Sequence, residues 1–492
     1  MTPFPEYERF DALGLAELVK KGDVTPAELR AAARARIDRM NPALNAVVHT
    51  FGDAGEPPVP EADPKGPFHG VPFLVKDLGV HCKGTPTTAG SRYLAGAIAP
   101  SDSTITERYR RAGLQILGKT NTPEMGLVAV TEPVFTGPTL NPWNPDLSPG
   151  GSSGGSAVAV ASGMVPMANA NDGGGSIRIP AAHCGLFGLK PTRARTPVGP
   201  DVGEVWSGLT AYHAITRTVR DSAALLDATC GPASGDPYMA PQRERPFLEE
   251  VGADPGRLRI AVSTAAPGGY PVHADCVAAA NSAALLCESL GHRVETAAPP
   301  FDLPGLIPHF RTIWAANLAS NFALLRSGGL PEPDADQLET ITRLVAEDGL
   351  RKTARDYVDA TRAFQRVGRA YARFFEAFDV LITPCLSQPP WPLGTVSMMD
   401  SDLDHFTETL FSLQAFTPQF NVTGQPAASL PLYWSNGGMP VGVQFATRFG
   451  DEKTLFRLSA QLETARPWFH RRPVFEAARA SAEQVPEAAR LP

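Results

Sequence analysis

Apolar residues at Leu13, Leu15, Leu18 and Val19 recur every three to four positions, the period of one buried helix face, and Gly22 ends the pattern. Thr25-Pro26-Ala27-Glu28 then carries the signals of a second helix: a threonine N-cap, proline at the first helical position and a glutamate three residues after the cap. This helical stretch reaches Arg39. The pattern then changes to unbroken apolar runs. Val71-Pro72-Phe73-Leu74-Val75, with Leu78 and Val80 beyond it, predicts a buried strand, and a polar helix over 103–112 leads into a short strand over 114–117. A strand over 256–262, an amphipathic helix over 274–290 and a strand starting at Arg293 predict a β-α-β unit. Residues 301–375 read as mostly helical. Strands over 380–383 and 441–447 and a helix over 451–463 follow. Alternating helix and strand predict an α/β sheet protein. No internal repeat and no linker long enough to separate independent domains is visible.

Three segments carry no such period. Residues 52–68, rich in proline, glycine and acidic groups, predict a surface connection. Residues 137–155 hold Asn141-Pro142-Trp143-Asn144-Pro145 and then Ser148-Pro149-Gly150-Gly151-Ser152-Ser153-Gly154-Gly155, which predicts irregular backbone up to Ser156 and a helix over 157–161. A second cluster, Gly173-Gly174-Gly175-Ser176, precedes Ile177-Arg178-Ile179-Pro180. Two glycine-serine loops thus bracket one short helix and one strand-like stretch.

Composition narrows the class. Of 492 residues 43% are hydrophobic and 19% charged, enough apolar material for a large core and too much for disorder. The 45 glycines and 48 prolines show no repeating period and imply many turns. Net charge is -7 with no extended Lys/Arg run, which argues against nucleic acid as the main partner. The six cysteines are scattered without a C-x-x-C pair, so neither a disulfide framework nor a zinc site is expected. The N-terminal residues form no secretory signal. The longest apolar stretch, 157–170, is interrupted by Ser162, Gly163 and Pro166 and is too short to span a bilayer, so a cytoplasmic protein without membrane partners is expected.

Two familiar motifs fit the letters and fail the context. Gly113-Leu114-Gln115-Ile116-Leu117-Gly118-Lys119-Thr120 matches a phosphate-binding loop, but its four middle residues are the predicted strand itself. Gly150-Gly151-Ser152-Ser153-Gly154 matches the serine elbow of α/β-hydrolases, yet the prolines before it leave no strand to feed the serine. None of the ten histidines lies four residues from another or in H-E-x-x-H. His183 and His213 read as packing residues, which leaves open what activates a serine without histidine.

The run over 148–192, from Ser-Pro-Gly-Gly-Ser-Ser-Gly-Gly-Ser through Asn-Asp-Gly-Gly-Gly-Ser-Ile-Arg-Ile-Pro-Ala to Gly-Leu-Lys-Pro-Thr, resembles the amidase signature. Segments over 70–77, 118–126 and 416–431 extend the resemblance along nearly the whole chain; it is weakest over about 235–375. It implies one domain over 1–492, a twisted mixed β-sheet covered by helices on both faces. The signature core would occupy about 65–230 and 375–470, with a variable substrate-pocket region over about 300–420. It further implies a metal-independent, cofactor-free serine hydrolase of amide bonds working as a monomer or homodimer. Lys76 becomes the base, Ser152, after a cis peptide bond, the bridging serine and Ser176 the nucleophile. Backbone N–H groups of Gly173, Gly174 and Gly175 would form the oxyanion hole. Asp172 and Arg178 would pair to hold the loop, with Ser153 a hydrogen-bond partner around Lys76.

The chemistry is intelligible on its own terms, because a lysine acts as a base only when desolvation or like charge lowers its pKa. Lys76, between Phe73-Leu74-Val75 and Leu78, has such a neighbourhood. Gly173 departs from the β-branched residue common in relatives and is expected to loosen the loop or widen the pocket. The resemblance is closest to the branch that hydrolyses 6-aminohexanoate cyclic dimers, other linear or cyclic amides, and carbamates, so a small uncharged amide and water are the expected partners, with esters and anilides accessible to the same chemistry. Met125, Phe416 and Phe420 are candidates for the pocket wall, or equally for the core. One alternative is a glutamine amidotransferase A-type subunit acting with a partner. There an acidic residue would hold the glutamine ammonium, and Gln414 stands at that position. A non-catalytic, binding relative is the other.

Overall fold

The capping box announced by Thr25 and Glu28 closes in both directions: the threonine hydroxyl accepts from the Glu28 amide, and the Glu28 carboxylate accepts from the Thr25 amide at 2.8 Å. A computed structural model describes residues 4–52 and 62–474, so the connection expected over 52–68 lies largely outside the described residues. Eleven strands join in one sheet: β1 (Val47–Thr50), β2 (Pro72–Lys76), β3 (Gln115–Thr120), β4 (Met167–Asp172), β5 (Phe187–Lys190), β6 (Ala211–Thr216), β7 (Arg259–Val262), β8 (Arg293–Thr296), β9 (Val380–Pro384), β10 (Ala427–Trp434) and β11 (Pro440–Thr447). Their order is β1-β3-β2-β4-β6-β5-β10-β11-β9-β7-β8. β3, β2 and β4 run parallel, as do β9, β7 and β8, while the strands between are antiparallel, which makes the sheet mixed.

Helices cover both faces, and the alternation along β11 shows how. Val441, Val443 and Phe445 pack with helices Ala274–Ser289 and Glu452–Ala465. The residues between them face the other way: a Cβ on Gly442 would sit 2.4 Å from the Ala182 side chain, and Gln444 meets Arg178, both on helix Arg178–Cys184. The β7-helix-β8 unit forms as its pattern predicts, with parallel register Ile260↔Val294.

The structure departs from the sequence reading in places with a common cause. The helix expected at Ala157 spans Gly154–Ala161. Its two glycines reflect close approach, since a Cβ on Gly155 would lie 2.4 Å from the Asn121 nitrogen and 2.6 Å from the Ala46 oxygen. Helix Arg178–Cys184, with Pro180 in its first turn, and helix Pro418–Thr423 carry no periodic signal because both are wholly or almost wholly buried. Strands β1, β5, β6 and β10 lack a clear period for related reasons: β5 and β6 are buried along their full length, so alternation between faces is lost. No helix among the described residues is long and apolar enough to cross a membrane.

Candidate active site

Because β2 and β4 run parallel, with Leu74 opposite Ala168, their carboxyl ends emerge together and bring Lys76, Asn171 and Asp172 to one edge of the sheet. Lys76 is fully buried. Its Nζ donates to Ser152 Oγ at 2.7 Å and to Asn171 Oδ1 at 2.7 Å, and the Asn171 amide is itself fixed by donating to the Leu78 carbonyl at 2.9 Å. Burial pushes the Lys76 ammonium well below the ordinary lysine value, and the charge of Asp172 offsets this only in part. Both of its hydrogen-bond partners are uncharged, so the amine can exist neutral at no Coulombic loss to them. The Gly151–Ser152 peptide is cis.

Ser176 follows the glycine loop that leaves β4. Asp172 anchors this loop from below. Its carboxylate accepts from the Ile177 amide at 3.1 Å and from Arg178 in a two-pronged pair, Nε to Oδ2 and Nη2 to Oδ1, both 2.9 Å. Burial alone would raise the Asp172 carboxyl, but Arg178 and the Asn421 amide more than offset it and hold it at about 2. Arg178, equally buried, also donates to the Thr417 carbonyl at 2.9 Å, Gln444 Oε1 at 2.8 Å and Asn421 Oδ1 at 2.6 Å. The loop is thereby tied to β11 and to helix Pro418–Thr423. From above, the Thr417 hydroxyl donates to the Gly174 carbonyl at 2.7 Å. Gly175 sits at φ +144°, where a Cβ would also meet Thr417 Oγ1 at 2.5 Å, so both backbone and space demand glycine.

A narrow cleft with about 30 Å³ of free volume opens on Ser176 and Gly174. One wall is the segment Gly126-Leu127-Val128-Ala129. The others are Trp206, Phe310 and Trp314, and Leu410, Phe411 and Gln414. No charged side chain is among them. Ser152 lies just beneath, since a Cβ on Gly126 would come within 3.3 Å of its Oγ. Ser176 reaches the cleft while Ser152 is buried, and no hydrogen bond joins their hydroxyls among the described residues.

Several sequence-predicted residues land elsewhere. Ser153 donates to the Asn171 carbonyl at 3.3 Å, and the contact with Lys76 expected of it is made by Asn171 instead. Phe416 and Phe420 are core residues: Phe420 packs edge-on to Tyr371 at 5.8 Å, and Phe416 lies 1% exposed in the cluster behind the cleft. Met125 is half-buried beside the Gly126 wall without lining it. Gly173 opens no space, because Trp206 fills it: a Cβ there would stand 3.0 Å from the indole. The wall residues of helices Leu303–Ser327 and Leu403–Leu413 fall within the expected variable region.

Other motifs resolve as the local context indicates. Lys119 is buried inside β3, donates to the Val80 carbonyl at 3.2 Å and lies 3.6 Å from Asp77, leaving no phosphate loop. No strand runs directly into Ser152; Leu147 makes only an isolated bridge with Pro392. His183 and His213 are buried, and burial pushes each imidazole down to about 3. Neither lines the cleft. Among the described residues no cluster of His, Cys, Asp and Glu is gathered so as to hold a metal ion.

The site is thus an uncharged cleft opening on one serine, with a buried, desolvated lysine and a second serine beneath it. The family model Amidase matches residues 28–456, and the chain belongs to the amidase family. It is 39% identical over 489 residues to the 6-aminohexanoate-cyclic-dimer hydrolase of Paenarthrobacter ureafaciens, covering 94% of this chain and 96% of that protein. A solved structure of 6-aminohexanoate cyclic dimer hydrolase superposes with a TM-score of 0.89 at 36% identity, over 95% of this chain and 99% of that one. A bacterial aryl acylamidase of the amidase signature family follows at 0.83 and 26% identity, over 97% and 99%. The fold is that of an amidase-signature hydrolase.

Proposed function

We propose that the protein hydrolyses small, uncharged, largely apolar amides through an acyl-enzyme on Ser176. The observation that carries this reading is the buried Lys76 amine, held between two uncharged partners with Ser152 Oγ at 2.7 Å, directly beneath a cleft that Ser176 enters. Neutral Lys76 takes the Ser152 proton as Ser152 takes that of Ser176, and the freed Ser176 oxygen attacks the substrate carbonyl. Gly173, Gly174, Gly175 and the Ser176 amide line the loop where charge develops on the carbonyl oxygen, and such donors contribute several kcal/mol to the transition state. The proton returns along the same path to the departing amine. Water then repeats the sequence to release the acid.

The uncharged wall selects the substrate. Gln414 leaves the cleft without an anion to hold a glutamine ammonium, which weighs against the amidotransferase alternative. Cyclic amide dimers and aryl amides, after which two relatives are named, are the first compounds to try, followed by carbamates and esters. The reaction needs only substrate and water. With a net charge of -7 and no basic run, we place it away from nucleic acid; a cytoplasmic monomer or homodimer completes the proposal.

Treatment with a fluorophosphonate followed by peptide mapping tests the roles. A single adduct on Ser176, with turnover abolished in Ser176→Ala and severely lowered in Ser152→Ala, is the expected result. An adduct on Ser152 would overturn the assignment. No adduct would move the protein to a partner-dependent or non-catalytic role.

A further inference from the structure

The free space beside Ser176 is narrow, about 30 Å³, so the walls that limit it decide what enters. Trp206 is the wall on the side of the glycine loop. A Cβ placed on Gly173 would meet its indole carbons at 3.0 Å, so the ring occupies the room that a side chain at 173 would take. Trp206 is held there by unusual backbone. Trp206, Ser207 and Gly208 all have left-handed φ, at +51°, +54° and +76°. Bulky residues rarely adopt this conformation, and it persists only where surrounding contacts enforce it. Those contacts are present: the Arg193 guanidinium donates to the Gly208 carbonyl at 2.6 Å, and the Ser207 hydroxyl bonds the Tyr357 phenol.

Behind this strap lies a second cavity with about 420 Å³ of free volume, lined by Ser207, Tyr357, Arg193 and Phe364 among others. Trp206 faces the cleft and the next residue faces the cavity. On the neighbouring wall Phe310 of the cleft contacts Phe364 of the cavity, their ring centroids 6.4 Å apart. Adjacent residues, Trp206 and Ser207, thus face the cleft and the second cavity respectively.

We infer that Trp206, seated on Gly173, is the specificity-determining residue that sets the size of the substrate group admitted beside Ser176. The inference rests on Ser176 being the nucleophile. Two series of amides test it, one lengthening the acyl part and one enlarging the amine, in wild type, Trp206→Phe and Trp206→Ala. For Trp206→Ala the ratio of kcat/KM for the largest to the smallest member should rise at least about tenfold in one series, the scale on which pocket size discriminates. That series identifies which part of the substrate lies on Gly173. Trp206→Phe should shift the ratio less. Gly173→Ala should slow hydrolysis by pushing on the indole and on Thr210 Oγ1, at 3.1 Å, and adding Trp206→Ala should recover the part of the loss that comes from the indole. A ratio unchanged in both series in a variant that melts like wild type overturns the inference, and Trp206→Phe supplies that comparison if Trp206→Ala does not fold. Labelling of wild-type Ser176 by a small fluorophosphonate is read separately. Its absence would refute the nucleophile itself, whereas normal labelling with unchanged ratios would refute only the role of Trp206.

Discussion

Replacing Lys76 by methionine separates a neutral buried base from a charged structural lysine. In the folded protein the amine is fully buried and its pKa is pushed below the ordinary 10.5 by desolvation; in the unfolded chain it returns to that value. Between the two pKa values the unfolded chain carries a proton that the folded chain lacks, so folding releases it. Wild-type stability must therefore rise with pH across this window by up to about 1.4 kcal/mol per pH unit, and fall by the same slope as pH drops, until the folded-state pKa is reached. Lys76→Met removes this dependence. It also leaves Asn171 Oδ1 without its donor, at a cost of about 1–3 kcal/mol, but that term does not vary with pH. The slope of the difference is thus diagnostic whatever the offset. Urea midpoints of both proteins at several pH values from 6 to 10 give it directly. The same variant should lose about a hundred- to ten-thousandfold in kcat. Wild-type kcat/KM should rise with pH as Lys76 deprotonates, and a limb that persists unchanged in His183→Gln and His213→Gln is expected, since burial holds both imidazoles near 3. A stability difference that stays flat from pH 6 to 10 would mean that Lys76 keeps its proton in the folded protein, and the proton path would be refuted.

Arg178→Met strands the buried Asp172 carboxylate and should cost about 3–5 kcal/mol in urea denaturation; Arg178→Lys should recover only part, because one ammonium cannot span Asp172, Thr417, Gln444 and Asn421 together. Gly175→Ala should lower both the melting temperature and kcat, its Cβ colliding with Thr417 Oγ1 at 2.5 Å and Ile179 Cδ1 at 2.6 Å. In the same melting experiment Gly174→Ala, whose nearest neighbour is Phe310 at 3.5 Å, should stay close to wild type.

What could be read beforehand divides along physical lines. Lys76, Ser152, Asp172, Ser176 and Arg178 were legible because each lies in a contiguous stretch whose order of residue types is itself distinctive. The α/β class followed from periods in half-exposed elements such as helix Ala12–Lys21 and from the apolar runs between them. Asn421 and Gln444 were not legible: they reach Arg178 across more than 240 residues, and a buried amide has no sequence pattern of its own. The cleft walls Phe310, Trp314 and Phe411 share helical spacing with core residues, and spacing does not say whether an apolar face meets another helix or a substrate. Phe416 and Phe420 stay open between pocket wall and core on sequence for the same reason, and packing puts both in the core.

Three buried lysines differ in what their amines meet. Lys76, Lys119 and Lys190 are all buried among the described residues, and burial lowers the pKa of each. Lys119 has the Asp77 carboxylate 3.6 Å away, which favours its charged form. Lys190, held at about 7, donates to the Pro191 carbonyl at 2.8 Å, an acceptor with no proton to give. Lys76 alone of the three meets a serine hydroxyl, that of Ser152 beneath the cleft, and the nearby carboxylate that could charge it, Asp172, is committed to Arg178 and Asn421. Burial pushes all three amines toward the neutral form, and Asp77 opposes it at Lys119. In the proposed mechanism, the pairing of Asp172 with Arg178, together with an uncharged acceptor on either side of Nζ, is what leaves the Lys76 amine free to act as a base toward Ser152.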